Sequence, residues 1–223
     1  ILLMSEKDEE LKKKIIDHLY WDGRVDASDV KVEVDNRKVK LTGTVPNFAA
    51  SEAALFTIWS IKGIIGVDNK LVVKPVIDGK TPIDADIEKN ISQILIWNKS
   101  VYGPEIEVSV DAGVVTLEGT VDALWKKMKA EELASHVLGV VKITNLLGVA
   151  PSKEIADEVI SRDIIEALNR SDNVDVDTID VKVEEGNVTL SGVVEHWIAY
   201  RAAWNCAVNT FGVKDVQNEI IIQ

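Results

Sequence analysis

The residues able to do chemistry are few and scattered in this 223-residue chain. The histidines are His18, His136 and His196. No two stand at the H-x-x-x-H spacing that puts paired imidazoles on one helix face for a metal. The single cysteine, Cys206, rules out an intramolecular disulfide, and no local basic partner would activate its thiolate. Neither G-x-x-x-x-G-K nor G-x-G-x-x-G occurs, so no phosphate-cradling loop is written. Asn173-Val174-Asp175-Val176-Asp177, with Glu184 eleven residues after Asn173, has the alternating oxygens of a calcium loop. Its sixth position is Thr178 instead of glycine, and Ile179 to Val183 reads as a strand, so the segment is taken as a solvated acidic loop. What remains is electrostatic. Lys12, Lys13 and Lys14 stand in a row, and Lys31, Lys38 and Lys40 fall on the open face of a predicted sheet. Together these six could meet an anionic surface such as phospholipid headgroups, where each basic residue adds about 1 kcal/mol. No catalytic, cofactor-binding or metal-binding residue is assigned, and no cofactor is expected.

The elements that would carry these residues occur three times. Val32-Glu33-Val34, Val108-Ser109-Val110 and Val181-Lys182-Val183 are related by offsets of 76 and 73 residues. The same offsets align Ile15, Ile91 and Ile164; Leu41, Leu117 and Leu190; Gly43, Gly119 and Gly192; Gly63, Gly139 and Gly212; and Asn69, Asn145 and Asn218. A fixed-period self-similarity of this kind marks tandem copies of one supersecondary unit. Leu11, Ile15 and Leu19 recur at i, i+4, i+8 as one face of a helix, matched by Ile87, Ile91, Leu95 and by Ile160, Ile164, Leu168. In the second copy Thr81-Pro82 reads as the cap and first turn of that helix. Alternation of Val30, Val32, Val34 with Lys31, Glu33, Asp35 predicts a half-buried strand. A tight turn follows at Asp35-Asn36-Arg37-Lys38, with Asn36 expected at positive φ, and Val39 to Val45 closes a hairpin. A second helix starts near Asn47, Asp122 and Glu195, buries Ala54, Ile58 and Ile61 or their counterparts, and is expected to stop on Gly63, Gly139 and Gly212 as C-caps. A last strand covers Val67 to Val73, Ile143 to Val149 and Val216 to Ile222. The predicted fold class is α+β: three tandem αββαβ domains over 6–74, 82–150 and 153–223, each a three-stranded sheet with two helices on one face.

The run V-x-V-x-x-x-x-V-x-L-x-G-x-V, at Val32 to Val45, Val108 to Val121 and Val181 to Val194, resembles the BON domain family, as does G-V-x-x-V-x-N at Gly212 to Asn218 and, with Ile143 for the second valine, at Gly139 to Asn145. The first copy departs from the second motif, reading Gly63-Ile64-Ile65-Gly66-Val67-Asp68-Asn69. The resemblance implies a non-enzymatic bacterial module associated with phospholipid surfaces, envelope maintenance and osmotic stress. It carries no catalytic residue. Gly63-Ile64-Ile65-Gly66 also has the form of an RNA-clamping GXXG loop, but its second glycine is Lys142 and Asp215 in the other copies.

The net charge of −12 disfavours nucleic acid, whose phosphates reward Lys and Arg. That charge is graded: +1 over residues 7–74, −4 over 84–149 and −8 over 157–222. An anionic partner therefore fits the first copy. Six tryptophans stand among few aromatics. Trp21 and Trp97 end the first helix of copies one and two, whereas Trp59, Trp125, Trp197 and Trp204 do not recur and are read chiefly as contacts between copies. No run reaches the ~18 apolar residues of a transmembrane segment. The expected function is a non-catalytic binding or scaffolding protein, stress-related and associating with phospholipid surfaces. The alternatives are a protein-interaction module without membrane contact, or a small-ion or ligand sensor. The expected location is cytoplasmic, or periplasmic if an upstream signal was removed.

Overall fold

A computed structural model describes residues 6–74, 82–101 and 105–223. In the first copy the order is α1 (Glu6–Trp21), β1 (Val30–Asp35), β2 (Lys38–Val45), α2 (Phe48–Trp59) and β3 (Gly66–Val73). The second copy holds α3 (Asp84–Trp97), β4 (Ile106–Asp111), β5 (Val114–Val121), α4 (Leu124–Ser135), β6 (Lys142–Asn145) and β7 (Gly148–Val149). The third holds α5 (Asp157–Asn169), β8 (Ile179–Glu184), β9 (Asn187–Val194), α6 (Trp197–Val208) and β10 (Asp215–Ile222). The sheets run β1-β2-β3, β4-β5-β6 with β7 also paired to β5, and β8-β9-β10. The hairpin strand β2 is thus central. It pairs antiparallel with β1 (Val32 opposite Leu41) and parallel with β3 (Leu41 opposite Asn69). The third copy repeats both registers, Val181 opposite Leu190 and Leu190 opposite Asn218.

The helices cover one face of each sheet because period-3.6 and period-2 apolar patterns meet there. Leu11, Ile15 and Leu19 from α1 and Ala54 and Ile58 from α2 are buried against Val32, Val34, Val39 and Leu41. The third copy has the same construction from Ile160, Ile164, Leu168, Ala203 and Ala207 over Val188 and Leu190. Alanine on the second helix brings its backbone close to the sheet; Ala54, Ala130, Ala134, Ala203 and Ala207 are fully buried. Lysine, glutamate and aspartate alternate with these residues and point to the open face.

Four expectations need correction. The helix of the second copy starts at Asp84, so Pro82 precedes it by two residues; Thr81 lies outside the described residues. The second helices end before their glycines. α2 and α6 are capped by right-handed Ser60 and Asn209, and Gly63 and Gly212 turn the chain at positive φ three residues later. In the first hairpin turn Arg37 (φ 64°) joins Asn36 (φ 48°) in the left-handed region, as Ala112-Gly113 and Glu185-Gly186 do in the others. Two consecutive positive φ values make the two-residue turn whose twist suits a hairpin. Finally, the last strand of the second copy is interrupted at Leu146-Leu147, where Leu147 turns in and is 1% exposed.

Candidate functional site

The residues shared by all three copies are spent on the backbone. Gly43 sits at φ 116° where β1 and β2 begin to pair, and a Cβ there would lie 1.9 Å from the Asp29 carbonyl oxygen. Gly119 and Gly192 face the Glu105 and Thr178 carbonyls in the same way at 2.1 Å, so only glycine fits. Asn69, Asn145 and Asn218 each accept the N–H of the residue two ahead, at 3.0, 3.3 and 3.2 Å. The amide of Asn69 also donates to Ser51 Oγ at 2.9 Å, and that of Asn145 to the Lys127 carbonyl at 3.0 Å, tying the last strand to the second helix.

A further set was not singled out from the sequence. Asp8, Asp84 and Asp157 obey the same offsets and lie in the first turn of the first helix of each copy. Each carboxylate accepts both central N–H groups of the hairpin turn in its own copy. Asn36 and Arg37 donate to Asp8 at 3.3 and 3.1 Å, Ala112 and Gly113 to Asp84 at 2.9 Å, and Glu185 and Gly186 to Asp157 at 2.8 and 2.9 Å. The two-residue turn leaves those donors pointing outward, and the helix supplies an anion to receive them. The signal was available at the repeat offsets. In the sequence alone it reads as ordinary first-turn acid that favours a helix N-terminus.

What differs between copies is the surface. Lys13 and Lys14 are exposed on α1 and Lys12 is half-buried. Lys31, Lys38 and Lys40 are exposed on the open face of the sheet, the side away from α1. The six lysines therefore form two groups, not one. The sheet group is interleaved with acids: Lys40 Nζ lies 3.6 Å from Glu33, Lys38 stands opposite Asp35 in the ladder, and Lys70 lies 3.3 Å from Asp68. The helix group shares its face with Glu10 and Asp17 and leads to Tyr20 and Trp21, which pack edge to face at 5.4 Å and are 72% and 82% exposed.

Beside that aromatic end a depression of about 510 Å³ is lined by Asp17, His18, Trp21, Asp22, Arg24 and Phe56, among others. Arg24 grips Asp22 with Nε at 2.9 Å and Nη2 at 2.8 Å, and its guanidinium lies 5.4 Å from the Phe56 ring centre. Thr57 also donates its hydroxyl to Asp22. The Arg24 bonds hold the Asp22 carboxyl well below the usual carboxylate range; burial opposes them, and Thr57 adds to the lowering. Asn98 and Ser171 replace Asp22 at the repeat offsets, so this network belongs to the first copy.

The other candidates are accounted for locally. His136 Nδ1 bonds the Glu132 carbonyl at 2.7 Å, and His196 precedes α6. Burial pushes the half-buried Cys206 thiol up, with Arg170 opposing. In the acidic loop Asp175 accepts from the Asp177 N–H at 3.2 Å and caps a short 3-10 turn, Val176–Thr178. Among the described residues no group of three or more His, Cys, Asp or Glu could hold a metal. In the GXXG segment Ile64 is buried and the Gly63 carbonyl accepts from Arg37 Nε at 2.7 Å. Trp125 of α4, with buried Leu124 and with Met128, packs into the core of the third copy, as expected of a tryptophan serving contacts between copies. Trp59, also expected to serve a contact between copies, packs instead against the core of its own copy, and Trp204 joins the third-copy cluster with the Arg201 guanidinium 4.4 Å from its ring centre. No described helix is long and apolar enough to cross a membrane.

Comparison with known proteins agrees with this construction. The chain is 29% identical over 139 residues to osmotically-inducible protein Y of Escherichia coli strain K12, covering 61% of this chain and 67% of that protein. Solved structures of CdsD, a structural protein of the type III secretion system of Chlamydia trachomatis, match at 15% and 12% identity over 96% and 99% of this chain, and over 91% and 100% of theirs. Their TM-scores are 0.28 and 0.26, too low to bear on this chain's architecture. The family model of the BON domain matches residues 7–75, 83–151 and 156–223, and with a complete set of helices and strands in each stretch the chain belongs to the BON domain family, in three tandem copies.

Proposed function

We propose that this protein is a non-catalytic binding protein with a stress-related role, as the name of its osmotically inducible relative suggests, and that it associates with anionic phospholipid surfaces through α1 of the first copy. The observation that carries the reading is the make-up of that one helix. Exposed Lys13 and Lys14 lead to an exposed Tyr20–Trp21 pair at its end, so cations for headgroups and amphipathic rings for the interface lie on one element. The second copy holds half of this and the third neither part. The second has exposed Trp97, but Glu88, Lys89 and Asn90 in place of the three lysines; the third has Arg170 where the tryptophan stands. Glu10 and Asp17 on the same face keep the attraction modest and sensitive to salt. The non-catalytic part is supported by the use of the shared residues: glycine, asparagine and aspartate all secure turns and strands, while the variable residues are on the surface.

Flotation with anionic and with neutral vesicles tests this. Retention on anionic vesicles at low salt, released by added salt and weakened by Trp21→Ala, is the expected result. Retention on neither kind refutes the lipid reading.

A further inference from the structure

The second helix of every copy opens on an apolar pair: Phe48-Ala49, Leu124-Trp125 and Trp197-Ile198. In the first copy Phe48 and Ala50, with Val45 and Val73 from the strand ends, pack in a small cluster that takes in Val141 of the second copy. In the second copy Leu124, Trp125 and Met128 join the core cluster of the third. The same patch, the first turn of the second helix, therefore meets the following copy twice. It comes round a third time at Trp197 and Ile198, and there Ile198 is 52% exposed. Val141, the receiving residue of the first contact, corresponds by the 76-residue offset to Ile65 of the first copy, which is 51% exposed; the third copy has Lys214 at this position, and its contact with Leu124 and Trp125 is made by other residues.

We propose that these two patches bind each other between chains, the third copy of one molecule docking on the first copy of a second and so extending the internal contact head to tail. Charge agrees with this occupant. Glu195, whose side chain is 91% exposed, stands three residues before Ile198. The Ile65 N–H is bonded to the Arg37 carbonyl at 3.1 Å, with Lys62 three residues before it, and the Lys38 stem lies against Gly66. At the level of whole copies, −8 meets +1. Arg201, one turn beyond Trp197, is the basic residue on the acidic side and lies over the Trp204 ring. A contact between two different patches is heterologous, so it generates a ring or an open chain of molecules instead of a closed symmetric pair.

Light scattering on the full chain, at low and high salt over a range of concentrations, tests this with two variants at exposed positions, Ile198→Lys and Ile65→Glu. Wild type is expected to rise above its 24.5 kDa monomer mass with concentration at low salt. Each variant alone should remain monomeric with an unchanged far-ultraviolet spectrum. An equal mixture of the two should form a two-chain species and nothing larger, since one variant keeps the first-copy patch and the other keeps the third-copy patch. Ile198→Ser replaces the lysine variant if the latter loses its fold. Wild type that stays monomeric at every concentration overturns the proposal. So does Ile65→Glu that associates like wild type, which would mean that like patches pair. A mixture that does not associate overturns it equally.

Discussion

At the scale of single residues, the three aspartates at the helix starts do more than favour helix N-termini. Each satisfies two turn donors at once, and charge-assisted hydrogen bonds are stronger than neutral ones. Asp157→Ala should destabilise the third copy by about 1–3 kcal/mol. It should also speed amide hydrogen exchange at Glu185 and Gly186 more than anywhere in the first copy. Unchanged exchange at those two amides would show that the clamp contributes nothing. Asp22 allows a pH test. Its folded carboxyl is lowered, chiefly by Arg24, while an unfolded aspartate titrates near about 3.9. The contribution of the pair is therefore complete above that value and is lost as pH falls through the lower folded value. In an NMR titration the Asp22 carboxyl should titrate below the ordinary aspartate range, and Arg24→Ala should move it up towards about 3.9. A midpoint that ignores Arg24→Ala would contradict the assignment. The repeated aspartates were written in the sequence at fixed offsets, yet their role was not legible. Which donors a turn leaves unsatisfied depends on two residues adopting positive φ, and Arg37 gives no hint of that.

At the scale of elements, legibility followed the strength of the periodicity. Buried faces such as Ile160, Ile164 and Leu168, and the hairpin alternations, could be read directly, because burial of one face is what those periods encode. Ends were harder. The glycines after the second helices read as caps in the sequence because glycine commonly ends a helix. Here right-handed Ser60 and Asn209 end it, and the glycines turn the chain into the last strand. The first turn of α4 shows what an element boundary can do. Leu124 is 5% exposed and Trp125 packs beside it against the third copy. Leu124→Ala should cost about 2–5 kcal/mol, the range for emptying a buried leucine site. Because that site belongs to the third copy's cluster, chemical denaturation followed at Trp204 should shift to lower denaturant. A shift confined to probes in the second copy would place the contact elsewhere.

At the scale of the molecule, triplication separates what must be kept from what is free to vary. Each copy alone has about 70 residues, a size at which one core is marginal, so the contacts that Val141 and Trp125 make across copies add stability as well as order. The freedom is used at the surface: charge drifts from +1 to −8, and exposed aromatics end the first helix in two copies of three. The sequence located the lysines but not their grouping, since only the sheet's two faces show that Lys12 to Lys14 and the strand lysines lie on opposite sides. The helix group is the one that bears the proposed lipid contact. The most direct measurement is the partition of the full chain into anionic vesicles, compared with a variant carrying Lys12→Gln, Lys13→Gln and Lys14→Gln. At about 1 kcal/mol for each lysine the variant should bind about 100-fold more weakly at low salt, with its fold unchanged. Equal partition of the two proteins would contradict the account.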